Sequence, residues 1–228
     1  MSNKINNLDP YKVKQQEVFS TLSNTLMALS SPVRIKLIHF LSQAPLTVEV
    51  LAHKVEQSMA NTSMHLRKML REGIVSVQQD GQKRVYHLGP AVQEFWESCQ
   101  NFLGQLKPSL NDIVDSSDLE INWQNSLEKT LKNLKNKEAI LLDIRPKEEI
   151  LYTSENILEK LNYVHVPLEE LQTYAKKIPK KIPILIMCRG KYCALSTQAL
   201  SILKDLKLNA YRLPYSWFAI LKKLKETT

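Results

Sequence analysis

The chain has 228 residues, with 31 Lys and Arg against 23 Asp and Glu (formal net charge +8), 43% hydrophobic and 24% charged. That balance is globular and excludes a disordered or fibrous chain, while only five glycines and ten prolines argue against a loop-rich all-β protein. The excess of positive charge puts nucleic acid first among acidic partners.

The three cysteines form no regular framework and read as free thiols of a reducing compartment. The longest apolar run, around Ile182–Met187, is far shorter than a membrane span. Met1–Pro10 is polar, without the apolar core of an export signal. A cytoplasmic protein with no membrane partner is the expectation.

The first half reads as helical. Val18, Leu22, Thr25, Leu26 and Leu29 recur at helical spacing, and Ser31-Pro32 opens a second helix with Val33, Leu37, Ile38 and Leu41 on its apolar face. Thr47 is an N-cap for Val48–Val55. Ser58 caps a further helix whose buried stripe is Leu66, Met69 and Leu70 and which stops at Gly73. Alternating runs on either side of Asp80-Gly81, Ile74–Gln79 and Lys83–Leu88, predict a hairpin. A last amphipathic helix, Ala91–Leu106, carries Val92, Phe95, Trp96, Cys99, Phe102 and Leu103 on one side.

Lys107–Asn122 has one Lys against four acids, with Pro108 at its start, and reads as a linker. It separates a half with net charge +3 (1–106) from one with +8 (123–228). The second half changes pattern: Ala139–Ile144, Val164–Pro167, Ile182–Cys188 and Ala210–Leu213 have strand character, and helices are predicted at Glu148–Leu161, Leu168–Lys176, Ala194–Leu206 and Trp217–Lys225. That alternation predicts a parallel sheet covered on both faces.

Helix, helix, helix, hairpin, helix is the order of a winged helix-turn-helix. In the Ser58–Val75 segment, Asn61, Thr62, Ser63, Met64, His65 and Lys68 are expected on the face opposite the apolar stripe, where short or hydrogen-bonding side chains suit a major groove. Arg67 and Arg71 suit phosphates, as do Lys83 and Arg84 at the hairpin tip. The stretch ALSSPVRIKLIHFL, this helix and the wing DGQKRVYHL resemble the ArsR/SmtB family of bacterial repressors over roughly residues 18–106. The resemblance implies a homodimer held by its first and last helices, double-stranded DNA with a pseudo-palindromic operator as partner, and release on binding an inducer. The family's metal sites do not carry over: Leu46–Val50 has no thiol, and Ala91–Leu106 offers only Glu94 and Glu97 with no His. No metal or other cofactor is expected. A sulfur-sensing branch pairs an early cysteine with one in the last helix; Cys99 matches the second, but this half has no other cysteine.

The strand Ile182–Met187 runs into Cys188-Arg189-Gly190-Lys191-Tyr192-Cys193, just before a helix. A cysteine at the C-terminal end of a parallel strand stands where such sheets bind ligands. Loop amides, the helix N-terminus and the charges of Arg189 and Lys191 are expected to lower its pKa and activate it. A cysteine phosphatase needs an arginine where Ala194 stands, so sulfur transfer fits better. LLDIRP (141–146), VHVPLEEL (164–171) and IMCRGKYCALS (186–196) resemble a rhodanese domain over about 124–228. That resemblance implies that Cys188 carries a persulfide, that Asp143 and Arg145 support the site, and that a small sulfur donor or thiol acceptor is the partner. Cys193 reads either as a resolving thiol or as packing beneath the loop. The expected whole is a winged helix-turn-helix followed by a rhodanese-like α/β domain, a repressor sensing or transferring reactive sulfur through Cys188. The alternatives are a sulfurtransferase with an accessory winged helix, or a repressor with an inert second half.

Overall fold

The computed structural model describes residues 10–110, 126–152, 158, 160–190, 192–213 and 215–226, without side chains at 10–13 and 110. The first half is α1 (Pro10–Leu29), α2 (Pro32–Leu41), β1 (Leu46–Thr47), α3 (Val48–Lys54), α4 (Met59–Arg71), β2 (Val75–Asp80), β3 (Lys83–Leu88) and α5 (Pro90–Leu106). The predicted caps form: Thr47 Oγ1 accepts from Val50 N–H at 3.5 Å, and Ser58 Oγ from Asn61 N–H at 3.2 Å. β2 and β3 pair antiparallel around Gly81 and Gln82, and β1 adds to β3, giving the sheet order β1-β3-β2. Leu37, Ile38, Leu41, Leu51, Leu66 and Met69 are buried together in the core beneath the wing.

Two placements differ from the expected pattern on α4. Leu70 is 37% exposed, and Thr62 is fully buried in its stead. The buried stripe is therefore Thr62, Leu66 and Met69, spaced by four and three, which is the helical repeat.

The second half has α6 (Leu127–Lys135), β4 (Ile140–Asp143), β5 (Tyr163–His165), α7 (Leu168–Ala175), β6 (Ile184–Met187), α8 (Ala194–Asp205), β7 (Ala210–Arg212) and α9 (Trp217–Glu226). All pairings are parallel, in the order β5-β4-β6-β7. Strand alternation splits the core in two. Leu142, Ile184 and Ile186 meet α7 and α8, while Leu141, Leu185 and Met187 meet α6 and α9. The expected helix over Glu148–Leu161 is absent from its described part, where Lys147–Glu149 makes a 3-10 turn and Leu158 and Lys160 are again in 3-10 conformation. α6, missed in the sequence, is capped by Ser126 and buries Leu131 and Leu134.

Four helices end in the same way. Gln57, Ile74, Glu138 and Leu208 N–H groups reach back five residues to the carbonyls of Ala52, Met69, Asn133 and Leu203. The residue before each donor has positive φ: Glu56 (57°), Gly73 (68°), Lys137 (59°) and Lys207 (58°). Such ends favour glycine, and only one has it. Lys207→Gly is therefore expected to stabilise the protein by about 1 kcal/mol, read as a rise in Tm of roughly 2–4 °C.

Candidate functional site

The reading helix α4 carries Asn61, Ser63 and His65 partly exposed and Met64 and Lys68 exposed, all accessible to a partner. Thr62 is not among them, because its side chain turns into the core. Asn61 Nδ2 donates to Gln57 Oε1 at 2.6 Å, holding the amide at the helix start. His65 Nδ1 lies 3.3 Å from Arg34 Nη1. Burial first, then the charges of Arg34 and Lys68, lower the His65 pKa and favour the neutral ring. Arg34 itself donates to the carbonyls of Ala28 and Met27, so it ties the end of α1 to the reading helix. Lys83 and Arg84 are exposed on the wing, and Asp80 beside them accepts a hydrogen bond from the Tyr152 hydroxyl of the second half at 3.2 Å.

The thiol loop leaves β6 and ends at the N-cap of α8. Its sulfurs face each other: Cys188 and Cys193 are joined as a disulfide, with Cα atoms 6.5 Å apart. Cys188 is 2% and Cys193 4% exposed, both within the core shared with α7 and α8. The expected open cradle of amides around a solvent-facing thiol differs from this arrangement, since the Cys193 N–H is spent on the Gly190 carbonyl at 3.2 Å. Gly190 has φ +92°, which L side chains rarely adopt, so glycine is required at that bend. Lys191 lies outside the described residues.

Asp143 and Arg145 form a fully buried pair. Arg145 Nε donates to both carboxylate oxygens (3.0 and 3.1 Å) and Nη2 to Oδ2 at 2.7 Å. Tyr163 Oη donates to the same Oδ2, and the guanidinium lies 4.8 Å over the Trp217 ring. Nη1 reaches the other half of the molecule and donates to the Gln43 carbonyl at 2.8 Å. Gln43 Nε2 in turn donates to the Arg189 carbonyl in the thiol loop at 3.3 Å.

Glu149 is the residue that sequence reasoning missed. Its carboxylate is buried and accepts from Lys54 Nζ at 2.7 Å, from Arg189 Nε at 3.0 Å and from Arg189 Nη2. Burial pushes Glu149 up, but the hydrogen bond and charge of Arg189 and the charge of Lys54 outweigh it, leaving the carboxyl below its ordinary range. Lys54 ends α3, which packs on α4. Arg189 and Lys54 both stack on Phe40 of α2. The expected connection through Lys107–Asn122 lies mostly outside the described residues. The thiol loop also contacts α2 directly, and α3 through Glu149.

Residues 31–77 match the family described as "Bacterial regulatory protein, arsR family". Over 183 residues, 78% of this chain and 77% of the relative, the chain is 24% identical to the HTH-type transcriptional regulator Rv0324 of Mycobacterium tuberculosis (strain ATCC 25618 / H37Rv). A match of that length runs past the winged helix into the second half. Over 109 residues, 48% of this chain and 84% of the relative, it is 30% identical to the nodulation protein NolR of Rhizobium meliloti. Among solved structures, the homodimeric winged helix-turn-helix DNA-binding domain of Mb0332 from Mycobacterium bovis covers 45% of this chain and 94% of its own, at 18% identity and TM-score 0.40. No helix among the described residues is long and apolar enough to cross a membrane. With its family match centred on α2 to β2 and its likeness to NolR, the chain belongs to the arsR family of bacterial regulatory proteins and is a DNA-binding transcriptional regulator with a winged helix-turn-helix.

Proposed function

We propose that this regulator is a homodimeric repressor whose second half, rhodanese-like in its CRGKYC loop, senses reactive sulfur through Cys188 and Cys193. The observation that carries the reading is the meeting of the two sulfurs in a loop whose Arg189 is anchored, through Glu149 and Gln43, to the DNA-binding half. Asn61, Ser63, Met64, His65 and Lys68 would enter a major groove, with Lys83 and Arg84 on phosphate. Val18, Phe19, Leu22 and Leu26 of α1 and Phe95, Phe102 and Leu106 of α5 are exposed apolar side chains that a second copy would cover.

The chemistry is a two-step exchange. The Cys188 thiolate attacks the sulfane sulfur of a polysulfide; a new S–S bond forms, the donor's S–S bond breaks and the donor thiolate departs. The Cys193 thiolate then attacks Cys188 Sγ, closing the disulfide and releasing the outer sulfur as hydrosulfide. The two thiols are oxidised and the polysulfide is reduced, so no other oxidant is needed. Closing the disulfide fixes Arg189 between the sulfurs, and with it the ionic tie through Glu149 to Lys54 on α3.

The test uses an operator duplex selected from random DNA by the reduced protein. Tetrasulfide is expected to weaken operator binding by about tenfold in the wild type, a usual size for coupling between sites, and to leave Cys188→Ser unaffected. Mass spectrometry should find the Cys188–Cys193 disulfide in the treated wild type. An equal loss of binding in both proteins removes Cys188 from signalling.

A further inference from the structure

A cavity of about 600 Å³ opens where the two halves meet. Its size is that of a small-molecule site, which usually falls at roughly 300–1,000 Å³. From the DNA-binding half, α2 contributes Ile35, Lys36, His39 and Phe40, and α5 contributes Trp96 and Leu103. Arg189 and Tyr192 of the thiol loop close the opposite wall, but neither sulfur lines it.

Three features specify an occupant. The first is shape: His39 stands edge-on to Phe40 (centroids 5.2 Å apart, 67°) and to Trp96 (6.4 Å, 69°), so the wall offers ring edges and faces to a flat apolar body. Burial and then the Arg189 charge push the His39 pKa down to about 4, so this ring adds no charge at neutral pH. The second is an apolar body: Trp96 lines the cavity together with Ile35 and Leu103.

The third is charge. The lining holds Lys36, Lys54 and Arg189 and no carboxylate. Lys54 and Arg189 already share Glu149 behind the wall. Lys36 is exposed and joins no ion pair among the described residues. One cation is therefore left over for a ligand.

We infer that this cavity binds a small planar apolar monoanion, in chemical class an aryl carboxylate, its ring against His39, Phe40 and Trp96 and its charge answered by Lys36. Because the walls come from both halves, such an occupant bears on how the thiol loop sits against α2, and it acts as a second effector beside the sulfur chemistry. The proposal does not rest on that chemistry, since the ligand touches neither cysteine.

The experiment titrates full-length protein with 2-naphthoate, and with 2-naphthamide as its uncharged counterpart, by calorimetry. Saturable binding of one naphthoate per chain is expected, roughly tenfold tighter than naphthamide, as one charge-assisted contact provides. Lys36→Met should erase that difference and leave naphthamide binding unchanged. Trp96→Ala, which removes a ring from the wall, should weaken both probes. Lys36 is exposed, so the first variant should keep the wild-type circular-dichroism melt. Naphthoate should bind Cys188→Ser as it binds the wild type, which keeps a failure of the sulfur reading separate from a failure here. Equal affinities for the two probes overturn the inference. So does the absence of saturation at millimolar probe, the result expected if a second copy of the chain fills the cavity.

Discussion

Asp143→Ala is expected to cost about 3–5 kcal/mol of stability, the usual penalty for stripping a buried ion of its partner. Arg145 has no exposed surface, so water cannot replace the carboxylate. Burial alone would pull the guanidinium pKa down, but the charge and hydrogen bonds of Asp143 outweigh that and hold it above its ordinary value. Without Asp143, what remains is a carbonyl of Gln43, the face of Trp217 and the more distant charge of Glu149. The measurement is urea unfolding of the wild type, both single variants and Asp143→Leu/Arg145→Met. The double variant should recover most of the loss, because it removes the stranded charge as well as the pair. A loss below about 1 kcal/mol in Asp143→Ala would mean that the guanidinium escapes to water and is not held as described.

The double variant also separates stability from communication. Arg145 is the side chain that crosses from the α/β sheet to the turn after α2, and its loss leaves the Gln43 carbonyl without that donor. The two halves would then be held by the Glu149 cluster, the Gln43 amide on the Arg189 carbonyl, and peripheral ties, Tyr152 to Asp80, Lys222 to Glu94 and Ser216 to Glu97. A well-folded Asp143→Leu/Arg145→Met protein that binds operator but responds less to tetrasulfide would place the Arg145–Gln43 bond on the route between the sulfurs and DNA.

Most elements were legible because each carries a local signal. The caps Thr47 and Ser58, the Asp80-Gly81 turn and the period-two strands announce themselves within a few residues. What was not legible depends on distant partners. Glu149 sits in a stretch rich in helix formers, Lys147–Leu161, and by local propensity it belongs on a solvated helix face. Instead its charge is drawn inward by Lys54, 95 residues earlier, and by Arg189, 40 residues later. No pattern within a window reveals such a pairing. Thr62 illustrates a subtler failure: a threonine on a helix reads as polar surface, yet the i, i+4, i+7 repeat through Leu66 and Met69 already places it inward. There the period was the better guide than the residue type. The helix end at Lys137 was invisible because the expected glycine is missing there, whereas the end before Lys207 was placed to within one residue even without a glycine. At the thiol loop, the residue types and their spacing were plain, but the facing of Cys188 toward Cys193 depends on the bend at Gly190 and on the docking of Arg189, which are tertiary facts.

Lowering the pH from about 7 to 4 is expected to destabilise the protein by about 3 kcal/mol through His39 alone. In the unfolded chain this imidazole titrates near 6.5, and in the folded one at about 4, because burial and the Arg189 charge oppose its protonation more than Glu149 favours it. Above pH 6.5 both states hold a neutral ring and His39 contributes nothing to the slope. As the pH falls through that value, the unfolded chain takes up a proton that the folded one refuses, and stability drops until the folded pKa is reached. The charges that act on the ring, Arg189 and Glu149, both come from the second half, while the ring itself belongs to the first. Glu149 acts in a different window. Its folded pKa is depressed, so its contribution is present above the ordinary carboxylate range and is lost only as the pH falls below it. His39→Phe should therefore flatten the unfolding free energy between about pH 6.5 and 4.5 and leave the steeper acid limb in place. His65 and His87 are also lowered, the first by burial, Arg34 and Lys68 and the second by burial, so a smaller slope persists in the variant. Urea midpoints measured across this range decide the matter. An unchanged slope in His39→Phe would mean that the ring takes up its proton as readily in the folded protein as in the unfolded chain.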